Sequence, residues 1–148
     1  MTPTTAEPAD LERLVQAARQ VRNRAYAPYS RFHVGAALLD EQGRVHVGCN
    51  VENAAYPQGL CAEAGALAAL VAAGGREVRA IAVAAEAARS REPVTPCGGC
   101  RQKLREFARE DTPVLVADGS RLILRTTLGA LLPHSFGPEH LPTAEPSR

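Results

Sequence analysis

Two short cysteine clusters constrain the fold and chemistry of this 148-residue chain more than any other feature. Cys61 opens the triplet Cys-Ala-Glu, and two glycines separate Cys97 from Cys100. Thiolates are strong Zn²⁺ ligands, and three of them leave the fourth position of a tetrahedral ion open to water. A fold that brings both clusters together would therefore hold one zinc ion per chain with one position free for chemistry.

Glu63 indicates which kind of zinc site this is. The spacing of Cys97 and Cys100 alone also occurs in redox pairs and in structural zinc knuckles. A glutamate two residues after a ligand can reach water in the open position and move its proton without binding the metal. An isolated glutamate at a helix start would only interact favourably with the helix dipole. Beside three thiolates, and without an evident fourth ligand, Glu63 predicts a catalytic site.

The overall composition predicts a single cytoplasmic domain spanning residues 1–148. The formal net charge is +1, and no run of Lys or Arg forms a track for a phosphate backbone, so long nucleic acid is not an expected partner. No apolar segment is long enough to cross a bilayer, and residues 1–10 lack the features of a signal peptide. Thiols stay reduced in the cytoplasm, which favours metal binding over disulfides. The polar ends, residues 1–9 and 138–148, are expected to be mobile.

Hydrophobic periodicity predicts an α/β domain. Helices are expected over residues 10–24, with Asp10 as N-cap, from residue 60 or 61 to 73, from 98 to about 109, and over 128–132. Strands are expected over residues 33–39, 44–49, 78–85, 114–117 and 122–125, with hairpins joining the first two and the last two. This order predicts a mixed five-stranded sheet. Both cysteine clusters then lie at helix N-termini, where backbone N–H groups are expected to lower the thiol pKa values.

The remaining cysteine and the four histidines are not expected to bind the metal. Cys49 alternates with Val45 and Val47 along a strand, which is typical of a small buried side chain. The histidines lack partners at metal-binding spacing; they are His33, His46, His134 and His140. Core packing is the expected role of the aromatic residues that follow the first helix, which are Tyr26, Tyr29 and Phe32.

Several spaced blocks of the sequence form a specific pattern. They are residues 29–38 (YSRFHVGAAL), 48–57 (GCNVENAAYP), 61–63 (CAE) and 96–102 (PCGGCRQ), followed by 131–133 (LLP) and Phe136. These blocks resemble those of the small homotetrameric cytidine deaminases, whose zinc is held by three cysteines. The resemblance covers roughly residues 10–140. It implies the three-layer cytidine-deaminase-like fold, with helices on both faces of the sheet. It also implies hydrolysis of cytidine and deoxycytidine to uridine and deoxyuridine plus ammonia in pyrimidine salvage, with zinc as the only cofactor.

The same resemblance implies roles at the reaction centre. Cys61, Cys97 and Cys100 would bind zinc, and Glu63 would carry protons between water and substrate. The backbone N–H of Ala62 would donate to the pyrimidine carbonyl.

Further residues would bind the nucleoside and join subunits. Asn50 and Glu52 would hold the ribose hydroxyls, and Phe32 would line the pocket beside the base. Tyr56 would lie near a subunit boundary, and Phe136 would stack on a base in a neighbouring subunit's site. The expected assembly is a homotetramer with shared active sites that acts on free pyrimidine nucleosides.

One departure from the family concerns the charge of the metal site. Many members place Arg directly after the catalytic glutamate, whereas this chain has Ala64, then Gly65 where a hydroxylated residue is common. Three thiolates overcompensate the charge of Zn²⁺ and make it a poorer Lewis acid unless positive charge lies nearby. We hypothesise that Arg101 and the two helix N-termini supply part of this charge.

Three other functions fit part of the pattern. Blasticidin-type deaminases share the cysteine and glutamate blocks, and the residues that separate them are Asn50, Glu52 and Phe32. A non-enzymatic, zinc-stabilised binding module would need a fourth ligand. A polynucleotide deaminase would need a basic track and stacking aromatics, but only 4% of the residues are aromatic.

Overall fold

The computed structural model describes residues 6–86 and 91–142, in which a five-stranded sheet lies between two layers of helices. The helices are α1 (Pro8–Arg22), α2 (Ala62–Ala72), α3 (Gly98–Arg105) and α4 (Leu128–Leu131). The strands are β1 (Gly35–Asp40), β2 (Val45–Cys49), β3 (Val78–Ala84), β4 (Pro113–Ala117) and β5 (Leu122–Thr127). Short 3₁₀ turns form at Tyr56–Gln58 and Pro138–His140.

The strand order in the sheet is β2-β1-β3-β4-β5. Strands β3 and β4 are parallel, and every other neighbouring pair is antiparallel. A parallel pair needs a crossover connection, and the segment that contains α3 provides it. The mixed five-stranded sheet expected from the sequence is confirmed.

Alternating side chains of the central strands point to two separate cores, as the period of a β-strand requires. From β1, Ala36 and Leu38 pack with residues of α2, α3 and α4. The neighbouring Ala37 and Leu39 pack with α1 on the opposite face. Helices therefore cover both faces, and the three-layer arrangement is confirmed.

The ends of two helices differ from the sequence-based expectation. Helix α1 starts at Pro8, with Glu7 as N-cap, so the prediction of Asp10 as N-cap is wrong. Proline at the first helical position already has a helical φ and lacks an N–H that would need a partner. Helix α3 ends at Arg105 because the chain then pairs with the start of β3, where the Val78 N–H donates to the Phe107 carbonyl at 2.8 Å.

The two chain ends are only partly described. Pro8 and Ala9 are helical, and Pro138–His140 form a 3₁₀ turn, although both segments belong to the ends expected to be mobile. Residues 1–5 and 143–148 lie outside the described residues, so the mobility of the ends stays a prediction. Within residues 6–86 and 91–142, no helix has the length and apolar character needed to cross a bilayer.

Helix α2 lies in direct contact with β2 because residue 48 has no side chain. A Cβ at Gly48 would stand 2.3 Å from the Ala66 nitrogen and 2.4 Å from the Ala62 oxygen, both backbone atoms of α2. On the helix side of the contact, a Cβ at Gly65 would meet its nearest atom, the Gly48 Cα, at 3.7 Å. The glycine is therefore required in the strand and not in the helix.

We predict that Gly48→Ala lowers the free energy of unfolding by about 1–3 kcal/mol, because the added methyl group pushes the backbone of α2 off the sheet. Gly65→Ala is the matched control, since its methyl group makes ordinary contacts and alanine favours a helix. Urea denaturation of both variants measures the difference. Equal destabilisation by the two substitutions would contradict this account of the contact.

Candidate active site

Three cysteine sulfurs converge where α2 and α3 begin. Cys61 directly precedes α2, Cys97 directly precedes α3, and Cys100 lies in the first turn of α3. Their Sγ atoms all lie within 4.8 Å of one another, and those of Cys61 and Cys97 are 4.0 Å apart. Zinc with three sulfur ligands at ordinary bond lengths places the sulfurs about 3.8 Å apart. The three thiols thus fit one zinc ion, and no histidine within the described parts of the chain joins the cluster.

The electrostatics of the three thiols differ. Burial raises the pKa of the Cys61 and Cys100 thiols, and the nearby Glu63 carboxylate raises that of Cys100 further. The pKa of Cys97 is lowered, because the backbone N–H of Cys100 donates to its sulfur. The expectation that the helix N-termini lower all three pKa values is therefore wrong for two of them. Because zinc binds the thiolate form of cysteine, binding of the metal would release the protons that the raised pKa values otherwise retain on Cys61 and Cys100.

Glu63 is the buried acid of this site. It is the second residue of α2, and only 5% of its surface is exposed. Burial raises the pKa of its carboxyl group. A carboxylate with a raised pKa is better suited to accept a proton and then return it than one fully solvated. The preceding Ala62 is also buried, and its N–H belongs to the first helical turn, where N–H groups lack intrahelical partners.

A short pairing of loops places the candidate nucleoside-binding segment beside the start of α2. Val51 and Leu60 exchange two backbone hydrogen bonds, of 2.9 and 2.8 Å, and Leu60 is followed directly by Cys61. On its other side Val51 forms a parallel bridge to Tyr26, through hydrogen bonds of its neighbours Asn50 and Glu52. Single residues at isolated bridges leave no periodic pattern, so the sequence does not predict this pairing.

Asn50 and Glu52, on either side of Val51, both bind the loop that precedes β1. The Asn50 amide accepts from the Val34 N–H at 2.8 Å and donates to the Phe32 carbonyl at 2.7 Å. Glu52 accepts from the backbone N–H groups of Tyr29 and Ser30. The Asn50 bond also explains why β1 begins at Gly35 and not at residue 33, because Val34 donates to a side chain instead of a strand.

The aromatic residues are more exposed than expected. Tyr26 and Tyr29 are 56% and 49% exposed, so the prediction of core packing is wrong for both, while Phe32 is half-buried. Tyr56 is exposed and packs edge-to-face on Tyr29, with ring centroids 5.8 Å apart. These tyrosines lie in surface loops, so the periodicity of the helices and strands could not predict their exposure.

Phe136 belongs to a segment that helix α3 holds on its surface. Gln102 donates to the Phe136 carbonyl at 2.9 Å, and Arg105 donates to Ser135 Oγ at 2.8 Å. The Phe136 ring stacks on His140 and remains 57% exposed. No role is predicted for Gln102 or Arg105 from the sequence; their helical spacing of three residues is the available signal.

Arg101 supports the loop that leads to Cys97. Its guanidinium donates to the Pro96 carbonyl at 2.6 Å, to Thr95 Oγ1 at 2.7 Å and to the Leu131 carbonyl at 2.7 Å. This arrangement holds Pro96, and therefore Cys97, in place. Compensation of the thiolate charge by Arg101 stays a prediction.

Cys49 is half-buried where a fully buried side chain was expected.

A family model for the cytidine and deoxycytidylate deaminase zinc-binding region matches residues 8–116. The chain belongs to the cytidine deaminase family. The cytidine deaminase of Sporosarcina psychrophila is 43% identical over 132 residues, which cover 89% of this chain and 95% of that protein. That of Halalkalibacterium halodurans is 45% identical over 132 residues, covering 89% and 98% of the two chains. The family membership indicated by the sequence blocks is confirmed.

Solved structures of the family agree with the fold. The crystal structure of a cytidine deaminase from Burkholderia pseudomallei superposes with a TM-score of 0.77 at 43% identity, covering 84% of this chain and 98% of that one. The cytidine deaminase of Mycobacterium tuberculosis gives a TM-score of 0.71 at 40% identity, with coverage of 86% and 98%. The three-layer cytidine deaminase fold is therefore the fold of this chain.

We predict about one zinc ion per chain, with three sulfur ligands and one light atom. Cys97→Ala should lose the metal, because two thiolates hold zinc far more weakly than three, and should lower stability as well. Cys49→Ala is the matched control and should retain zinc. Metal analysis of protein purified without chelators, and X-ray absorption at the zinc edge, measure both. Zinc-free wild-type protein, or four protein ligands around zinc, would contradict the assignment.

Proposed function

We propose that this chain is a zinc-dependent deaminase that converts cytidine and deoxycytidine to uridine and deoxyuridine, with release of ammonia. The observation that carries the proposal is the group of three cysteine sulfurs, which lie within 4.8 Å of one another. Two residues after Cys61, in the first turn of α2, Glu63 is only 5% exposed. Cys61, Cys97 and Cys100 would hold zinc, which would lower the pKa of a water molecule at the site. A role in pyrimidine salvage in the cytoplasm is the corresponding cellular proposal.

The proposed proton transfers belong to Glu63. Its carboxylate accepts a proton from the attacking water and donates it to N3 of the pyrimidine. It then accepts the proton of the new C4 hydroxyl group and donates it to the amine that leaves from C4. Water and cytidine thus give uridine and ammonia, and Glu63 ends in its starting state. The Ala62 N–H would donate to the carbonyl oxygen of the base and hold the ring in one orientation.

The proposed nucleoside site uses the segment beside α2. The pairing of Val51 with Leu60 supports this assignment, since it brings Asn50 and Glu52 next to the start of the zinc-binding helix. A carboxylate and an amide are suitable partners for sugar hydroxyls, and the Phe32 ring suits the face of a base. These side chains are also what would separate a cytidine deaminase from a blasticidin-type enzyme.

The proposed assembly is a homotetramer in which neighbouring chains complete each other's sites. Tyr26, Val51 and Leu60 are bridge partners, so their side chains lie side by side, and each is 45% to 56% exposed. Tyr56 and Phe136 are also exposed. A second copy of the chain would remove these apolar side chains from water and would receive Phe136 beside its bound base.

We predict that Glu63→Gln retains zinc and fold but loses cytidine turnover by at least about 10²- to 10⁴-fold, because glutamine cannot carry the protons. Glu12→Gln, an exposed residue of α1, is the matched control and should keep wild-type activity. Turnover is measured from uridine formation, and zinc by metal analysis. Substantial turnover by zinc-loaded Glu63→Gln protein would contradict the proposed role.

We predict that Glu52→Ala lowers kcat/KM for cytidine by roughly ten- to 150-fold, the range for loss of a hydrogen bond to a charged group. Wild-type enzyme should accept deoxycytidine, which keeps the 3′-hydroxyl, and should turn over free cytosine poorly, because the sugar contacts are missing. The assay compares cytidine, deoxycytidine, cytosine and blasticidin. Equal activity on cytosine and cytidine would contradict a nucleoside site. Blasticidin turnover that exceeds the turnover of both and is unchanged in Glu52→Ala would assign the protein to the blasticidin-type deaminases.

We predict a mass of about four chains of 15.7 kDa by light scattering under assay conditions. Co-assembly of Glu63→Gln with Phe136→Ala subunits should restore activity, because the Phe136→Ala site receives an intact phenylalanine from its neighbour. Mixing Glu63→Gln with Glu52→Ala is the control, since both residues belong to the same chain's site, and should restore none. An active monomer, or mixed activity no higher than the average of the parents, would argue against shared sites.

A further inference from the structure

Ser30 joins two of the proposed nucleoside-binding residues through one atom. Its hydroxyl donates to Glu52 Oε2, and the same oxygen accepts the backbone N–H of Phe32 at 2.9 Å. A serine hydroxyl has a single proton, so its direction in this pair is fixed: the proton goes to Glu52 and a lone pair faces Phe32. No role was assigned to Ser30 from the sequence, although it lies within the block at residues 29–38.

The Glu52 carboxylate is nearly saturated by this loop. Oε1 accepts from the Tyr29 N–H at 2.9 Å and from the Ser30 N–H at 3.1 Å, while Oε2 accepts from the Ser30 hydroxyl. A carboxylate offers about four lone-pair directions, so one remains, and it lies on Oε2. The Ser30 hydroxyl bond is also the main reason why the pKa of Glu52 is lowered.

The backbone around Phe32 is held from both sides. Its N–H donates to Ser30, and its carbonyl accepts from the Asn50 amide at 2.7 Å. Arg31, between Ser30 and Phe32, adopts φ = 60°, a left-handed backbone conformation that is unfavourable for residues other than glycine. Such a conformation persists only where its surroundings impose it. Ser30 and Asn50 thus place the ring and the carboxylate as one unit.

We propose that Ser30 is a positioning residue that directs the free lone pair of Glu52 Oε2 to the 3′-hydroxyl of the nucleoside, and so sets the enzyme's requirement for that hydroxyl. The inference rests on the proposed function. A sugar with a 3′-hydroxyl donates to the remaining lone pair, whereas a 2′,3′-dideoxy sugar leaves it without a partner. Without the Ser30 hydroxyl, the Glu52 carboxylate has two open positions on Oε2 and can turn toward water. Loss of the 3′-hydroxyl from the substrate then lowers kcat/KM by a smaller factor.

The test compares deoxycytidine with 2′,3′-dideoxycytidine in the full-length, zinc-loaded protein. Wild-type protein should prefer deoxycytidine in kcat/KM. Ser30→Ala should reduce the ratio of the two kcat/KM values by roughly fivefold or more, mainly through KM for deoxycytidine, as expected for one lost hydrogen bond. Ser30→Thr, which keeps the hydroxyl, should restore the ratio. Ser120→Ala is the matched control, because Ser120 also donates to a carboxylate, that of Asp118, in a different turn.

The outcomes separate this inference from the proposed function. A Ser30→Ala protein that loses activity equally on both substrates, or that matches wild type, would overturn the role of Ser30 while leaving cytidine deamination intact. Wild-type protein without cytidine turnover would contradict the proposed function, and the inference with it. If Ser30→Ala does not fold, Ser30→Cys keeps a similar volume with a weak donor and must lower the same ratio.

Discussion

The convergence of two helix starts at one edge of the sheet is the constraint on which the site depends. In the sheet register Gly35 pairs with Cys49 of β2 on one side and with Ala84 of β3 on the other. The two strands therefore end at the same edge, and the chain that leaves each of them leads to one of the zinc-binding helices. Three sulfurs from two distant parts of the sequence can meet because the strand order brings their approaches together.

Close packing then fixes the distance between the sheet and the site. Gly48 allows the first turns of α2 to lie on β2, and the same turns contain Ala62 and Glu63. A rigid helix start determines where the Glu63 carboxylate lies relative to the sulfurs of Cys61 and Cys100. The burial that raises the pKa of Glu63 is thus a consequence of backbone packing, and catalytic groups depend on such support from their surroundings.

The sequence predicted the features that have a repeating pattern or a specific motif. Strand alternation and helical spacing predicted the three-layer sheet, and the spaced motifs predicted the family. Features that depend on one contact were missed or wrong: Pro8 rather than Asp10 sets the start of α1. The bridge of Val51 to Leu60, the exposure of Tyr26 and Tyr29 and the raised thiol pKa values arise from tertiary neighbours, which local patterns do not contain.

The proposed chemistry requires one metal held by the three cysteines. Its most direct test is a zinc titration of chelator-treated, full-length protein while cytidine turnover is followed. We expect no turnover without metal, then a linear rise in uridine formation that stops at about one zinc per chain. Cytidine turnover by metal-free protein, or none after one equivalent of zinc has bound, would contradict the account.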